Sequence, residues 1–465
     1  MDRQQENKMG VMPVGRLLAT MSVPIMISML VQALYNVVDS MFVARIDEYA
    51  LTALSMAFPI QNLMVAVAAG LGVGLNAVLS RALGARDQES VSRAAASGML
   101  LMAVCSAVFM FGGATIVHAF YAAQTDIPEI IAYGESYTRI VMLGCVGLFF
   151  QIHFERTLQS TGRTVLTMVS QGLGAILNII LDPILIFGLC GMPRLEVAGA
   201  AVATVAGQIV AFVLALILNG RKNPDVHLKL RGFRPEGRMI RRILGIGVPS
   251  MIMVAIGSAM YYGFNRILMR FEAVQVGLGE LGTAVFGAYF KLQSFIFMPV
   301  FGINNAVLAI AAYNYGARKP SRIMRVVLCG ACGAATLMLL GIAAFQFFPQ
   351  QLLALFNANE QMLTVGVPAL KRLSLPFVFA GPCIIFGGVF QALGKSVYSM
   401  ITSIARQIIV LLPAAYLLSL TGEIAAVWFA FPIAEIASLA VSIVMMVTLY
   451  RKKIKPLYAF EEKTT

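Results

Sequence analysis

The chain has 465 residues, 59% of them hydrophobic and only 12% charged, with a mean hydropathy of +0.82 and a formal net charge of +13. A soluble domain carries about 25% charged residues, so this composition excludes a water-soluble globular protein and makes lipid the main solvent. The positive balance would suit nucleic acid, but its distribution along the chain excludes that partner.

Twelve apolar segments approach or exceed the ~20 residues needed to cross a bilayer. They lie near residues 17–42, 51–79, 94–118, 131–155, 164–189, 197–219, 243–269, 281–312, 323–347, 364–393, 398–420 and 424–450. None alternates as a barrel strand would, so helices must satisfy the backbone. The fold class is an all-α integral membrane protein. Basic residues concentrate in alternate connections: Lys8 and Arg16, then Arg81, Arg86 and Arg93, then 220–242, "RKPSRIMR" and the tail "RKKIK". The intervening connections carry Asp47, Glu48, Asp126, Glu129, Glu196, Glu272, Glu280, Glu360 and Glu423. Short basic loops stay in the cytoplasm. This predicts a multi-pass protein of the bacterial inner (cytoplasmic) membrane with both termini inside, touching anionic lipid.

The first segment follows Arg16 but reads as a retained helix rather than a signal peptide, because the second half of the chain holds its counterpart. Within it, "SMLVQALYNVVDSMFVAR" puts Gln32, Asn36 and Asp39 at i, i+4 and i+7, one polar stripe on an apolar rod. A carboxylate at the bilayer centre costs about 2.5–3.5 kcal/mol on insertion scales, so something must offset it. In the second segment, Gly70 and Gly74 have GxxxG spacing, which predicts close helix packing. His153, Glu155 and Arg156 lie near the cytoplasmic end of the fourth and read as an ion-pair cluster rather than a proton relay.

The fifth segment, "GAILNIILDPILIFG", sets Asn178 and Asp182 at i and i+4, with Pro183 directly behind to free a carbonyl and bend the helix. Two carboxylates and two amides become tolerable if they converge on one hydrated pocket with a shared cation or proton. Hard oxygen ligands suit Na+ or H+ better than a transition metal. The plainer reading is that both acids lie near interfaces or bond to neighbouring backbone.

The second half repeats the first. "TMSVPIMISM" answers "GIGVPSMIMV", with Pro24 against Pro249; "SRALGAR" answers "AYNYGAR"; "LQSTGRTVLTM" answers "FQALGKSVYSM" at an offset of 232. Six helices per half give parallel repeats, and transporters built this way place their sites between the halves. The organisation is therefore a cytoplasmic segment 1–16, a first bundle 17–219, a linker 220–242, a second bundle 243–450 and a basic tail 451–465. The acid pair has no copy in the second half: Asp182 faces Ala414, and Asp39 faces Phe264 or Phe271. Lys291, Arg406 and Glu435 are charged residues inside second-half spans, each explained equally by a cavity, by snorkelling or by a helix-packing bond.

The six cysteines (Cys105, Cys145, Cys190, Cys329, Cys332, Cys383) fall in or beside spans and imply no disulfide framework. There is no HExxH, no Walker motif and no His/Cys cluster, so the chain reads as neither an enzyme nor a cofactor protein.

"VPIMISMLVQALYNVVDSMFVARI", "ALTALSMAFPIQNLMVAVAAGLGVGLNAVLSRALGAR", "LQSTGRTVLTMVSQGLGAILNIILDPILIFG" and "FKLQSFIFMPVFGINNAVLAIAAYNYGAR" resemble the first, second, fourth-to-fifth and eighth helices of the multidrug and toxic compound extrusion (MATE) family. The similarity spans about residues 10–450 and is nearest the bacterial DinF/MepA-like branch. It implies twelve helices in two pseudo-symmetric six-helix lobes around a central cavity, and export of organic cations against inward H+ or Na+. The family's first-lobe ion site maps onto Asp39, Asn178, Asp182 and Thr204, with the Ala200 carbonyl as a further ligand. The extra acids of the NorM branch on helices seven and ten are absent here.

The expected function is antiport of cationic amphipathic small molecules by a monomer, with no cofactor other than the coupling ion. Expected cavity residues are Tyr35, Met64, Phe149, Phe154, Met253, Tyr261 and Phe290, since methionine and aromatic surfaces adapt to varied ligands. The alternatives are export of an endogenous metabolite and a lipid-linked oligosaccharide flippase, for which only Lys291, Arg266 and Arg406 offer scattered positive charge.

Overall fold

The computed structural model describes residues 7–43, 45–226, 235–356 and 358–461; the linker residues Lys229, Arg231 and Arg234 lie outside them. Every regular element among the described residues is helical. Ten helices are long and apolar enough to cross a membrane, and two bent helix pairs bring the total to twelve if each pair is one span. In the first half these are α1 (Val14–Val43), α2 (Glu48–Gly84), α3 (Gln88–Thr115), the pair α4 (Pro128–Leu143) and α5 (Val146–Ser160), α6 (Thr164–Phe187) and α7 (Val197–Lys222). In the second half they are α8 (Gly237–Leu268), α9 (Leu278–Gly316), α10 (Pro320–Phe347), the pair α11 (Glu360–Ser374) and α12 (Phe377–Ala392), α13 (Ser396–Ser419) and α14 (Ala430–Leu449). The last is the core of a longer apolar run, Ile424–Glu461.

The internal repeat is written into the element borders. Gln88 answers Pro320 and Thr164 answers Ser396 at the offset of 232; α3 and α10 are 28 residues each, and α6 and α13 are 24 each. The bent pairs match too, with bends of 42° and 48°. The first bend sits at Gly144, where a Cβ would stand 2.4 Å from Val205; the second sits at Pro376, which cannot continue a helix ladder. Even the turns repeat. Arg86 and Arg318 are left-handed at φ 58° and 55°, and Gly162 and Gly394 at 81° and 72°. Each such turn closes a helix end by an amide reaching back five residues: Asp87 to Ala82, Arg163 to Leu158, Lys319 to Asn314 and Lys395 to Phe390. Glycine reaches this conformation freely.

The chain divides into two compact units. The first comprises Ile27–Met251 with the segment ending at Val11; the second comprises Met12–Met26 with the chain from Ile252 onward. The borders fall not in the 220–242 connection but inside α1 and α8, two residues after Pro24 and Pro249. Proline interrupts the helical ladder and is a common site of kinking, so each helix changes unit at its weakest point.

Within the first unit, Gly70 and Gly74 meet the opening turns of α8. A Cβ at Gly70 would lie 2.5 Å from Met251 Cγ, and one at Gly74 2.4 Å from the Ile243 carbonyl oxygen. The GxxxG spacing marks close helix packing, as expected. Within the second unit, an aromatic cluster fills the interior: Phe264, Phe286, Tyr289, Phe345, Phe377 and Phe431 pack with ring centroids 4.6–6.4 Å apart. All six cysteines are free.

Candidate functional site

The approach of α6 to α7 sets the geometry of the first unit's polar site. Gly174 and Gly207 face each other, and a Cβ on either would come within 2.7 Å of the other's carbonyl oxygen. Only glycine permits this approach, which brings the side chains one turn further along into contact. Asn178 Nδ2 donates to Asp182 Oδ1 and to Thr204 Oγ1, both at 3.4 Å. Asp182 is fully buried and Asn178 nearly so. Ala200, one turn before Thr204, is fully buried as well.

Helix α1 supplies the second acid. Asp39 is half-buried and lies within Coulombic reach of Asp182, and Tyr35 is within reach of both. Asp39 Oδ1, Asp182 Oδ2 and Asn178 Oδ1 are all buried without a hydrogen-bond partner. Unpaired polar atoms of this kind are rare and costly in a folded interior. Three orphaned oxygens with the Thr204 hydroxyl form an all-oxygen donor set, which fits a proton or Na+ and not a thiophilic metal. No cluster of three His, Cys, Asp or Glu side chains suited to a transition metal exists among the described residues.

The polar stripe of α1 does not act as one surface. Gln32 accepts from Gln171 Nε2 of α6 at 3.4 Å and bonds Tyr35, whereas Asn36 is exposed. Sequence reasoning missed Gln61, Tyr137 and Gln171. Tyr137, on α4, is buried, lies within Coulombic reach of Asp39 and Asp182, and accepts from Gln61 Nε2 of α2 at 2.7 Å. Nothing in the sequence around Tyr137 marks it. Gln61 and Gln171 are amides inside apolar spans, a signal of the same kind as Gln32.

The expected cavity residues separate into two groups. Met64, Phe149 and Phe154 are buried core side chains of the first unit; Phe149 packs 5.8 Å from Phe109 and Phe154 stacks 5.9 Å from Phe212. Tyr35, Met253, Tyr261 and Phe290 are half-buried. In the cytoplasmic-end cluster, Glu155 and Arg156 lie within Coulombic reach of each other. Glu155 accepts from Gln151 and Arg156 donates to Gln159, each at 2.9 Å, while both ring nitrogens of the fully buried His153 lack a partner. In the second unit, Lys291 is exposed near the Phe356 ring, whereas Arg406 and Glu435, read separately in the sequence, form an ion pair at 2.7 Å.

Comparison with known proteins accords with this architecture. The MatE family pattern matches residues 24–184 and 249–417. The chain is 27% identical over 431 residues to a FAD transporter of Shewanella oneidensis, covering 91% of this chain and 92% of that one. It is 27% identical over 413 residues to the multidrug export protein MepA of Staphylococcus haemolyticus, covering 88% of each. It also matches the solved outward-facing conformation of a multidrug resistance MATE family transporter of the MOP superfamily, with a TM-score of 0.89, 25% identity, and coverage of 99% of this chain and 100% of that one. With the family pattern in both halves of the repeat, on a helical two-lobe fold shared end to end with a solved member, the chain belongs to the MATE family of multi-pass membrane transporters.

Proposed function

We propose that the protein is a secondary antiporter that exports organic cations and other amphipathic small molecules in exchange for H+ or Na+, with Asp39 and Asp182 as the coupling acids. One observation carries this reading: two carboxylates within Coulombic reach, each with a buried oxygen that has no hydrogen-bond partner among the described residues. Left ionised and empty, such a pair is costly; one proton or one Na+ relieves it. Asn178 and Thr204 are the neutral ligands, with the Ala200 carbonyl as a further one. Tyr35 and Tyr137 border the acids and feel their charge state.

Filling the site changes the charge beside α1, and Pro24 gives that helix a place to bend. The two forms of α1 are the bistable element that a transport cycle requires. Tyr35 borders the acids within the first unit, and Met253, Tyr261 and Phe290 are half-buried side chains of the second. The protein works as a monomer in the bacterial inner membrane with both termini cytoplasmic.

The test is transport of a fluorescent organic cation in proteoliposomes under a proton gradient or a sodium gradient, each imposed alone. Flux driven by one gradient and abolished in Asp39→Asn supports the assignment and names the ion. Gradient-independent flux, or an unaffected Asp39→Asn, overturns it. A second reading, export of an endogenous metabolite, is favoured by the similarity to a transporter named for FAD.

A further inference from the structure

Arg406 lies in a π-helical stretch, Ala405–Leu411, at the middle of α13. Its repeat mate at the 232 offset is Gly174, the residue that lets α6 touch α7. Where the first unit joins its fifth and sixth spans glycine to glycine, the second joins them by a guanidinium–carboxylate pair. Such π turns are often found at functional sites.

Arg406 Nη1 donates to Glu435 Oε1 at 2.7 Å, and the two side chains keep 28% and 11% of their surface exposed. Glu435 Oε2 is buried with no partner. Glu435, Ser438 and Ser442 line one face of α14. The titratable and charged groups that face Glu435 among the described residues are Arg406 of α13, Tyr289 of α9 and Cys383 of α12. Rings lead outward from this point: Tyr289 packs on Phe286 at 6.1 Å, and Phe286 on the half-buried Tyr261 and Phe290 at 5.2 and 6.1 Å.

A buried ion pair is a poor source of stability, since an apolar pair of similar volume often serves as well. What a guanidinium supplies that an apolar residue cannot is a planar fork for a carboxylate or phosphate. We propose that the Arg406–Glu435 pair is a ligand site in its own right, taking the anionic carboxylate or phosphate group of a planar aromatic substrate. The substrate anion replaces the Glu435 carboxylate on the Arg406 fork, and Glu435 takes one proton from solution, so the buried charge stays balanced. The aromatic body lies against Tyr289, the ring that faces the pair. The proposal rests on the transport reading for its purpose, but binding at the site does not require turnover.

The experiment is therefore equilibrium binding to the full chain in lipid nanodiscs, using two probes on one ring system: anthracene-9-carboxylate and its neutral 9-carboxamide. The wild-type protein is expected to prefer the carboxylate over the carboxamide by about tenfold, in line with a charge-assisted bidentate contact, and to take up one proton on binding it. Arg406→Gln removes the preference for the carboxylate over its neutral carboxamide. Glu435→Gln, which keeps a neutral side chain on the fork, tightens carboxylate binding severalfold and abolishes proton uptake. The double variant Arg406→Met with Glu435→Met is the folding control, because it leaves no unpaired charge. Equal binding of carboxylate and carboxamide by the wild type, or a preference that survives Arg406→Gln, overturns the proposal. Loss of coupled flux with the preference intact would instead count against the antiport reading alone.

Discussion

Asp182 is the most constrained residue of the proposed coupling site. It is fully buried, holds one bond from Asn178, and lies within Coulombic reach of the Asp39 carboxylate. Residues that share a single proton or ion act as a unit, and units respond non-additively. Asp39→Asn and Asp182→Asn are each expected to abolish gradient-driven flux, and the double variant to lose no more than either single; stopped-flow flux in proteoliposomes checks this. An ordinary case lies at the start of α3. Asp87 caps that helix, accepting from the Ser90 amide at 3.0 Å and the Ser90 hydroxyl at 2.6 Å. These bonds hold its carboxyl below the usual range. A lowered folded-state pKa contributes stability above the unfolded value and loses it as pH falls through the folded one. Asp87→Ala is expected to cost the helix end about 1 kcal/mol near neutral pH, and less in acid, read as faster amide exchange in the first turn of α3.

At the level of helices, close approach decides function. Gly174 against Gly207 sets the distance between α6 and α7, and with it the Asn178–Thr204 contact. Gly174→Leu is expected to push the helices apart and remove coupled flux, although it touches neither acid. Gly74→Leu separates α2 from α8 instead and is expected to lower the melting temperature of the detergent-solubilised protein. The twelve spans and the repeat were readable in the sequence because apolar length and turn residues are local properties. Asp39, Asn178 and Asp182 were readable because a carboxylate or amide in hydrocarbon contradicts its surroundings. Tyr137 and Gln61 escaped notice, since neither a tyrosine nor a single amide in a span is anomalous until helix rotation brings them together. For the same reason Arg406 and Glu435 stood out as charges but not as partners.

For the whole molecule, the division into units predicts what a shortened chain will do. The segment 237–251 belongs to the first unit and fills the grooves at Gly70 and Gly74. A fragment ending at Met251 is expected to survive heating in detergent better than one ending at Val226, scored by the monodisperse fraction on gel filtration.

The allotment of Met12–Met26 to the second unit has a consequence for synthesis. That segment leaves the ribosome well before the unit it completes begins again at Ile252. At a translation rate of about 5–20 residues per second, the wait is on the order of ten seconds or more. Throughout that interval the opening half of α1 must rest in the bilayer, or beside the insertion machinery, without its permanent neighbours. Its own apolarity, and not its final packing, therefore has to carry it through biogenesis. The carboxylate and amides of α1, at Gln32, Asn36 and Asp39, all lie beyond Pro24, in the half whose partners arrive next.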